Sequence, residues 1–356
     1  MKLPLSILLV CTTIFFFGCE KDDGSPTNPN TYTPTDSTWS DSTRGYNVRL
    51  NATSYSSYRY YSLANHDMVS ISDAQASVSN NWELAFRRYY GKINGGASGG
   101  AGLRAVDLAS LSISDSVNFE GVTVVPMIAD SLWQEDELTL AIADSAWWYY
   151  TGPPNHLILA TRQTFVLKTA SGKYAKMVID SLAGSTRTSA GILTVKFVYQ
   201  ADGMTHLNGV EQLTTLDATA NPAYFSFASG GAVSVADPMM SQAWDFVVDG
   251  FSIRLNSAAS GPGMAASIKS DTTFNATLEA PVGPPYSQDM SVSVFGTESL
   301  DPWFNYNQQH ELISKRHVYV VRTSANLYYK LQIENYYMVV GGASQGGWMQ
   351  FRYKQL

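Results

Sequence analysis

The sequence predicts an all-β protein: two tandem antiparallel domains of β-sandwich or barrel-like form, after an export signal and a disordered tether. Three observations carry that expectation. Apolar and polar residues alternate with period two through much of the chain from Val48 onward, and no segment sustains a helical period. Charged residues are only 15% of the chain, against a usual ~25%, while Tyr, Ser, Thr, Gly and Val are abundant, which favours strands and turns. The chain also repeats itself. WELAFRRYYGKINGGASGG at residues 82–100 returns as WDFVVDGFSIRLNSAASGP at residues 244–262 without a gap. A repeat offset of 162 residues is far longer than a solenoid unit and means two domains of one kind.

Charge and cysteine content exclude several function classes. A net charge of −7 and a pI near 5.2 offer no basic face to a nucleic acid. The two cysteines, Cys11 and Cys19, both precede the expected folded part. That part can therefore hold no disulfide, thiolate zinc site, iron–sulfur cluster or catalytic cysteine.

Taken in order, residues 1–18 read as a signal: Lys2, then an apolar run over residues 3–17 too short for an ordinary membrane span, then Gly18. A small residue followed directly by Cys19 resembles a bacterial lipoprotein signal, which implies cleavage before Cys19 and lipid attachment to its sulfur. Lys21-Asp22-Asp23 resembles an acidic surface-export signal. Residues 19–43 are dominated by Pro, Ser, Thr, Asn and Asp and are expected to be a flexible tether. The first domain is expected over 44–204 and the second over 205–356.

Within the domains, Tyr60-Tyr61-Ser62-Leu63 returns as Tyr224-Phe225-Ser226-Phe227, and Leu50-Asn51-Ala52-Thr53 as Leu216-Asp217-Ala218-Thr219. Residues 107–146 and 270–302 are the least similar parts. They read as long excursions from the scaffold, where binding commonly resides. Similarity resumes at Trp147-Trp148-Tyr149-Tyr150 and Trp303-Phe304-Asn305-Tyr306. His156 and His310 follow, 154 residues apart, an offset shared by Arg162/Arg316, Lys176/Lys330 and Tyr199/Tyr353. TFVLKTASGKYAKMVI and VYVVRTSANLYYKLQI each predict a hairpin, with turns at Ser171-Gly172 and Ala325-Asn326. LTVKFVY and WMQFRY close the two domains.

This order of features resembles the HmuY family of bacterial surface lipoproteins in both halves: a lipoprotein signal, a polar tether, the [YF]-[YF]-S-[LF] strand end, the tryptophan-headed strand running into an asparagine and a small-residue loop, the aromatic WxxY run, and the [VF]-[YFV]-V-[RK]-T hairpin. The resemblance implies an all-β, non-enzymatic protein that captures haem or a related tetrapyrrole. It further implies a host haem carrier as source, an outer-membrane receptor as partner, and membrane attachment only through the lipid on Cys19, on the periplasmic or cell-surface face of the outer membrane. In the family, haem is held by two loop histidines. The second of these corresponds here to Gly152 and Gln308, neither of which ligates iron. The nearest histidines, His156 and His310, are therefore the candidate axial ligands, with Met127 and Met290 of the excursions as partners. Haem iron accepts imidazole or thioether. Trp148, Tyr150, Trp303 and Tyr306 are candidate walls for the porphyrin. The alternative is a lipoprotein that keeps the scaffold without haem and binds a glycan, a peptide or an outer-membrane partner through exposed aromatic loops.

Other patterns lead elsewhere or nowhere. Residues 96–100 and 342–346 satisfy G-x-S-x-G around Ser98 and Ser344, but no helix signal follows either, and the second copy breaks the frame at Ser260. These glycines are expected to permit tight turns. No Gly-Lys-Ser/Thr follows them, which excludes a phosphate loop, and no calcium loop is present. The carboxylate pairs Glu135/Glu137 and Asp245/Asp249 fit no motif and read as edge acids serving solubility. His66, His206 and His317 lack counterparts and read as surface or strand residues.

Overall fold

The structure, a computed structural model, describes residues 34–41, 45–111, 118–220, 222–283, 286–296 and 301–356. The expected signal, the lipidated Cys19 and most of the tether lie outside the described residues. Within the tether, Ser37–Asp41 is not a free segment. It forms an edge strand antiparallel to Gly45–Asn51, with Trp39 opposite Asn47.

The described chain is built almost wholly from antiparallel strands, and none of its sheets closes into a barrel. Two packed units result, each a sandwich of one larger and one four-stranded sheet. In the first unit the larger sheet runs Ser37–Asp41, Gly45–Asn51, Ala343–Gln355, Tyr328–Val340, Val318–Arg322, Arg104–Asp107. In the second it runs Gln212–Ala218, Gly191–Gln200, Tyr174–Ala183, Phe165–Lys168, Ala266–Lys269. The predicted hairpins form with their turns at Gly172 and Asn326, both at positive φ (77° and 57°).

The packed units do not follow the expected division at 204/205, which is the boundary of the sequence repeats. Gly45–Asn51 of the first repeat pairs with Ala343–Gln355 of the second, and Arg104–Asp107 pairs with Val318–Arg322. Conversely Gln212–Ala218 and Ala266–Lys269 of the second repeat flank the hairpins of the first. The repeats have exchanged halves. One unit is made from the two ends of the chain and the other from roughly residues 141–289. Their cores are separate: Leu50, Phe86 and Ile93 pack with Phe295, Leu331 and Phe351 in one, and Met177, Leu193 and Phe197 with Phe225, Phe246 and Leu255 in the other. Phe86 and Phe351 have ring centroids 5.5 Å apart, and Phe225 stacks on Phe246 at 4.7 Å.

The repeated tryptophan–asparagine stretch is a turn lock. Asn94 is fully buried, and its amide donates to the carbonyls of Ser79 and Trp82, both at 2.8 Å. Asn256 repeats this with Ser241 and Trp244 at 2.9 and 2.8 Å. A Cβ on Gly99 would lie 2.0 Å from the Asn94 side-chain oxygen, and one on Gly261 2.2 Å from that of Asn256, so the small-residue loop exists to let the asparagine in. Behind each tryptophan a buried acid ties two loops together. Glu83 accepts from the Leu63 amide (2.7 Å), and Asp245 from the Phe227 and Ala170 amides (2.7 and 2.8 Å). Asp245 is thus a core acceptor and not an edge acid, because buried amides at strand ends require a partner.

The two excursions, expected as binding loops, instead cover the outer faces of the larger sheets. Phe119, Val122 and Trp133 pack on Val106, Val318 and Val320, and Phe274 packs on Val178 and Val198. A buried lysine pins each turn. Lys330 donates to the carbonyls of Phe119 and Val122 at 2.5 and 2.7 Å, and Lys176 to those of Phe274 and Thr277, both at 2.8 Å. Each ammonium also lies over the phenylalanine ring it caps, 4.3 and 4.6 Å from the centroid. Burial lowers both lysine pKa values.

The excursions then cross. Glu137–Thr139 pairs antiparallel with Met290–Val292, with Leu138 opposite Ser291. Asp136 and Asp289 stand immediately before the crossing in their repeats. Asp289 accepts from the Leu255 and Ala141 amides (2.8 and 2.9 Å) and from the Ser260 hydroxyl (2.7 Å). Asp136 accepts from the Ile93 amide at 3.1 Å. Burial raises the Asp136 carboxyl to about 7, against the opposing pull of the Ser98 hydroxyl, the Ile93 amide and the Lys92 ammonium. Below pH ~4 folded and unfolded chains both hold this proton. Between pH ~4 and about 7 only the folded chain does, so its contribution to stability falls as pH rises through that window and is level above it. Asp136→Asn, which mimics the protonated form, is expected to flatten this part of the profile. Urea unfolding of both proteins from pH 4.5 to 7.5 should show the variant gaining on the wild type at up to ~1.4 kcal/mol per pH unit. A constant difference across the range would contradict the assignment.

Candidate ligand-binding cleft

Each aromatic run becomes the first strand of a short hairpin. Trp148–Tyr150 pairs with Ile158–Ala160, and Phe304–Tyr306 with Leu312–Ser314. Within each hairpin loop the histidine occupies a left-handed turn, with φ 52° at His156 and 58° at His310. Their amides close the turns onto the carbonyls of Gly152 (2.9 Å) and Asn307 (3.1 Å). Histidine tolerates this region better than most residues, so the backbone alone accounts for part of the repetition.

Around the first hairpin lies a cleft of about 880 Å³. Trp148, Phe251 and Leu182 line it, the loop from Gly184 to Arg187 forms another wall, and Tyr150 and His156 stand at the hairpin edge. Trp148 and Phe251 are in contact, with ring centroids 4.6 Å apart. The Tyr150 hydroxyl is hydrogen-bonded to His156 Nδ1. That contact orients the imidazole and leaves Nε2 as the nitrogen able to ligate a metal, in the tautomer where Nδ1–H donates to the Tyr150 oxygen. Tyr150 and Leu157, each about half exposed, carry the lining out to the rim. The size and mostly apolar lining with few polar groups suit a small organic ligand.

Of the sequence-predicted residues, the structure brings together Trp148, Tyr150 and His156. Met127 is fully exposed, and Met290 lies on the crossing strand; neither lines this cleft. The physical reason is the exchange, which sends the excursions to the crossing and to the outer sheet faces. Trp303 is not a wall either. It is buried to 2%, and its Nε1 donates to the Tyr89 carbonyl at 2.8 Å, which makes it core. Tyr306 is half exposed on the second hairpin, beside Phe304. Phe251, Leu182 and Arg187 were missed in the sequence. Phe251 and Leu182 are ordinary scaffold positions, and Arg187 sits in a polar loop of no special pattern.

The serine loops are structural. Ser98 Oγ donates to Ser291 Oγ at 2.7 Å, and Ser260 Oγ donates to Asp289, so both hydroxyls belong to the crossing. Ser344 sits on the strand Ala343–Gln355, opposite Val339. His66 is more integrated than a surface residue: it stacks on Tyr46 at 3.7 Å and bonds the Tyr353 hydroxyl at 2.7 Å. His317 contacts Asp107 at 2.7 Å. Among the described residues no cluster of three or more His, Cys, Asp or Glu could hold a bare metal ion.

The doubled antiparallel β-scaffold is of the HmuY type, a family of binding proteins. The HmuY protein family matches residues 54–199 and 218–353, more than half of the sequence, and the chain belongs to that family as two tandem copies. No curated protein matches it. Three solved structures are similar to it. A candidate lipoprotein from Bacteroides fragilis NCTC 9343 is 14% identical, with a TM-score of 0.33, covering 89% of this chain and 93% of its own. A candidate HmuY-like heme-binding protein from Bacteroides vulgatus ATCC 8482 is 12% identical, with a TM-score of 0.32 and coverage of 87% and 91%. The apo HmuY analogue of Tannerella forsythia is 10% identical, with a TM-score of 0.34 and coverage of 90% and 97%.

The different burial of the paired tryptophan-run residues has a measurable consequence. Phe304→Ala, at the position matched to Trp148, removes a ring buried to 2% and is expected to cost about 3–5 kcal/mol in urea unfolding. Trp148→Ala, at the partly open cleft, is expected to cost less than half of that. Equal losses would mean that the two hairpins are packed alike.

Proposed function

We propose that the protein is a non-enzymatic, lipid-anchored extracytoplasmic binding protein that captures haem or a related tetrapyrrole in the cleft of the first hairpin. The observation that carries this reading is the imidazole of His156, oriented by Tyr150, at the edge of an apolar cleft of about 880 Å³. The residues present fit the group. Trp148, Phe251 and Leu182 offer flat apolar contact to a porphyrin face, and Arg187 offers a cation to a carboxylate on its rim. Iron would supply the axial bond to His156 Nε2. The lining contains one imidazole and no thioether, so this reading uses a single protein ligand. Cys19 would carry the lipid, on the periplasmic or outer face of the outer membrane. A host haem carrier would supply the ligand, and an outer-membrane receptor would accept it.

Hemin titrated into the chain lacking its signal is expected to give a saturable Soret shift. His156→Ala is expected to weaken binding at least tenfold, about 1.4 kcal/mol, and to move the Soret maximum. His310→Ala should leave both unchanged. No saturable shift at micromolar hemin, with the fold intact by circular dichroism, would overturn the haem reading in favour of a glycan, peptide or protein ligand on the same scaffold.

A further inference from the structure

The two hairpins occupy equivalent places in the two units, yet their surroundings differ at a few matched positions. Beside the first hairpin stand Leu182, Gly250 and Phe251. The matched residues beside the second are Tyr336, Arg88 and Tyr89. Tyr336 is buried to 3%, with its ring 6.4 Å from those of Trp303 and Tyr89. Arg88 lies over its face at 5.6 Å and donates to the Gly346 carbonyl at 3.0 Å. A Cβ at residue 346 would stand 2.6 Å from the Tyr336 ring, so glycine there makes room for the tyrosine. The adjoining Tyr337, matched to Ala183, accepts from the Leu312 amide at 2.9 Å and ties the hairpin down. The strands also differ. Tyr328–Val340 and Ala343–Gln355 continue to a two-residue turn, whereas Tyr174–Ala183 and Gly191–Gln200 separate into a seven-residue loop that forms one wall of the cleft.

We infer that the chain takes one ligand, at the first hairpin, and that Tyr336, Tyr337 and Arg88 shut the second. Burial at the matched residues agrees. Phe304 and Leu312 are buried at 2% and 8%, while Trp148 and Ile158, their counterparts, are half-buried. Donors agree as well: Trp303 Nε1 is satisfied by a carbonyl, whereas the indole N–H groups of Trp147 and Trp148 are buried with no partner among the described residues. The two repeats thus divide their roles. One keeps an opening of ligand size, and the other has spent the same space on packing. The tyrosine at 336, where the first repeat has Leu182, is the residue that decides between them.

This rests on the cleft being the ligand site, but not on the ligand containing iron, and the test separates the two. The chain lacking its signal is titrated with hemin, followed by absorbance, and with iron-free protoporphyrin IX, followed by its fluorescence. One equivalent of porphyrin per chain is expected. Leu182→Tyr, which copies the closed repeat, is expected to reduce binding at least tenfold, as is Thr186→Trp on the exposed loop, which avoids the core. Tyr336→Phe should leave the stoichiometry at one. Two equivalents in the wild type, or full binding in both blocking variants, would overturn the inference. Porphyrin bound at one equivalent without a hemin Soret shift would keep the single cleft and remove the haem assignment. No saturable binding of either probe would overturn both.

Discussion

Two buried carboxylates at the crossing hold the architecture together. Asp136 and Asp289 each accept the backbone amide that ends a strand of the four-stranded sheet, Ile93 in one repeat and Leu255 in the other. The three residues after each then pair across the molecule. A buried carboxylate deprived of its donors is expensive, so the serine loop, the strand end and the crossing are coupled. Once the crossing forms, each repeat delivers its second half to the other's first half, and the larger sheets gain both flanking strands. The long closure this needs is a modest burden, because loop entropy grows only with the logarithm of length. The unit from the chain ends therefore lies within reach even though Gly45–Asn51 waits for Ala343–Gln355.

The exchange also explains what the excursions are for. Laid over the outer sheet faces, each is pinned by a lysine that belongs to the opposite repeat: Lys330 caps the turn at Phe119, and Lys176 the turn at Phe274. Neither ammonium can be released cheaply, since burial disfavours its charge and the two carbonyls compensate it. Segments secured this way are poor candidates for adaptable binding loops. The open cleft lies instead beside the first hairpin, which the exchange does not cover.

Much of the fold was legible in the sequence, and the reason is local. Period-two alternation, the Gly172 and Asn326 turns and the Trp82–Asn94 lock are all set by neighbours within a few residues or one hairpin. The exchange was not legible. Two repeats with the same strand chemistry offer equivalent edges, so Val318–Arg322 and Phe165–Lys168 present similar partners to Arg104–Asp107, and no residue pattern names which is used. Asp136 and Asp289 were hidden because the excursions around them differ in length. The short matches Phe119 to Phe274 and Asp136 to Asp289 would have found them if read alongside the paired lysines. Half of the site was legible, as Trp148, Tyr150 and His156 share one hairpin. Leu182, Arg187 and Phe251 come from three other places in the chain, and nothing in sequence spacing brings them together.

The histidine pair shows why a repeated residue is weak evidence for a repeated site. His156 and His310 both fill a left-handed turn and both close it through their amides, so the backbone preserves them whether or not either imidazole is used. What distinguishes them is what surrounds the turn. Beside His156, a leucine and an alanine on the neighbouring strand leave a cleft, and the Tyr150 hydroxyl steadies the ring toward it. Beside His310, two tyrosines take that volume, and one of them bonds the hairpin backbone directly. A ring that fills a pocket makes the same apolar contacts a ligand would make, without the cost of capturing a second molecule. Filling the space beside the second hairpin with its own side chains therefore keeps that unit packed without an opening like the one beside His156.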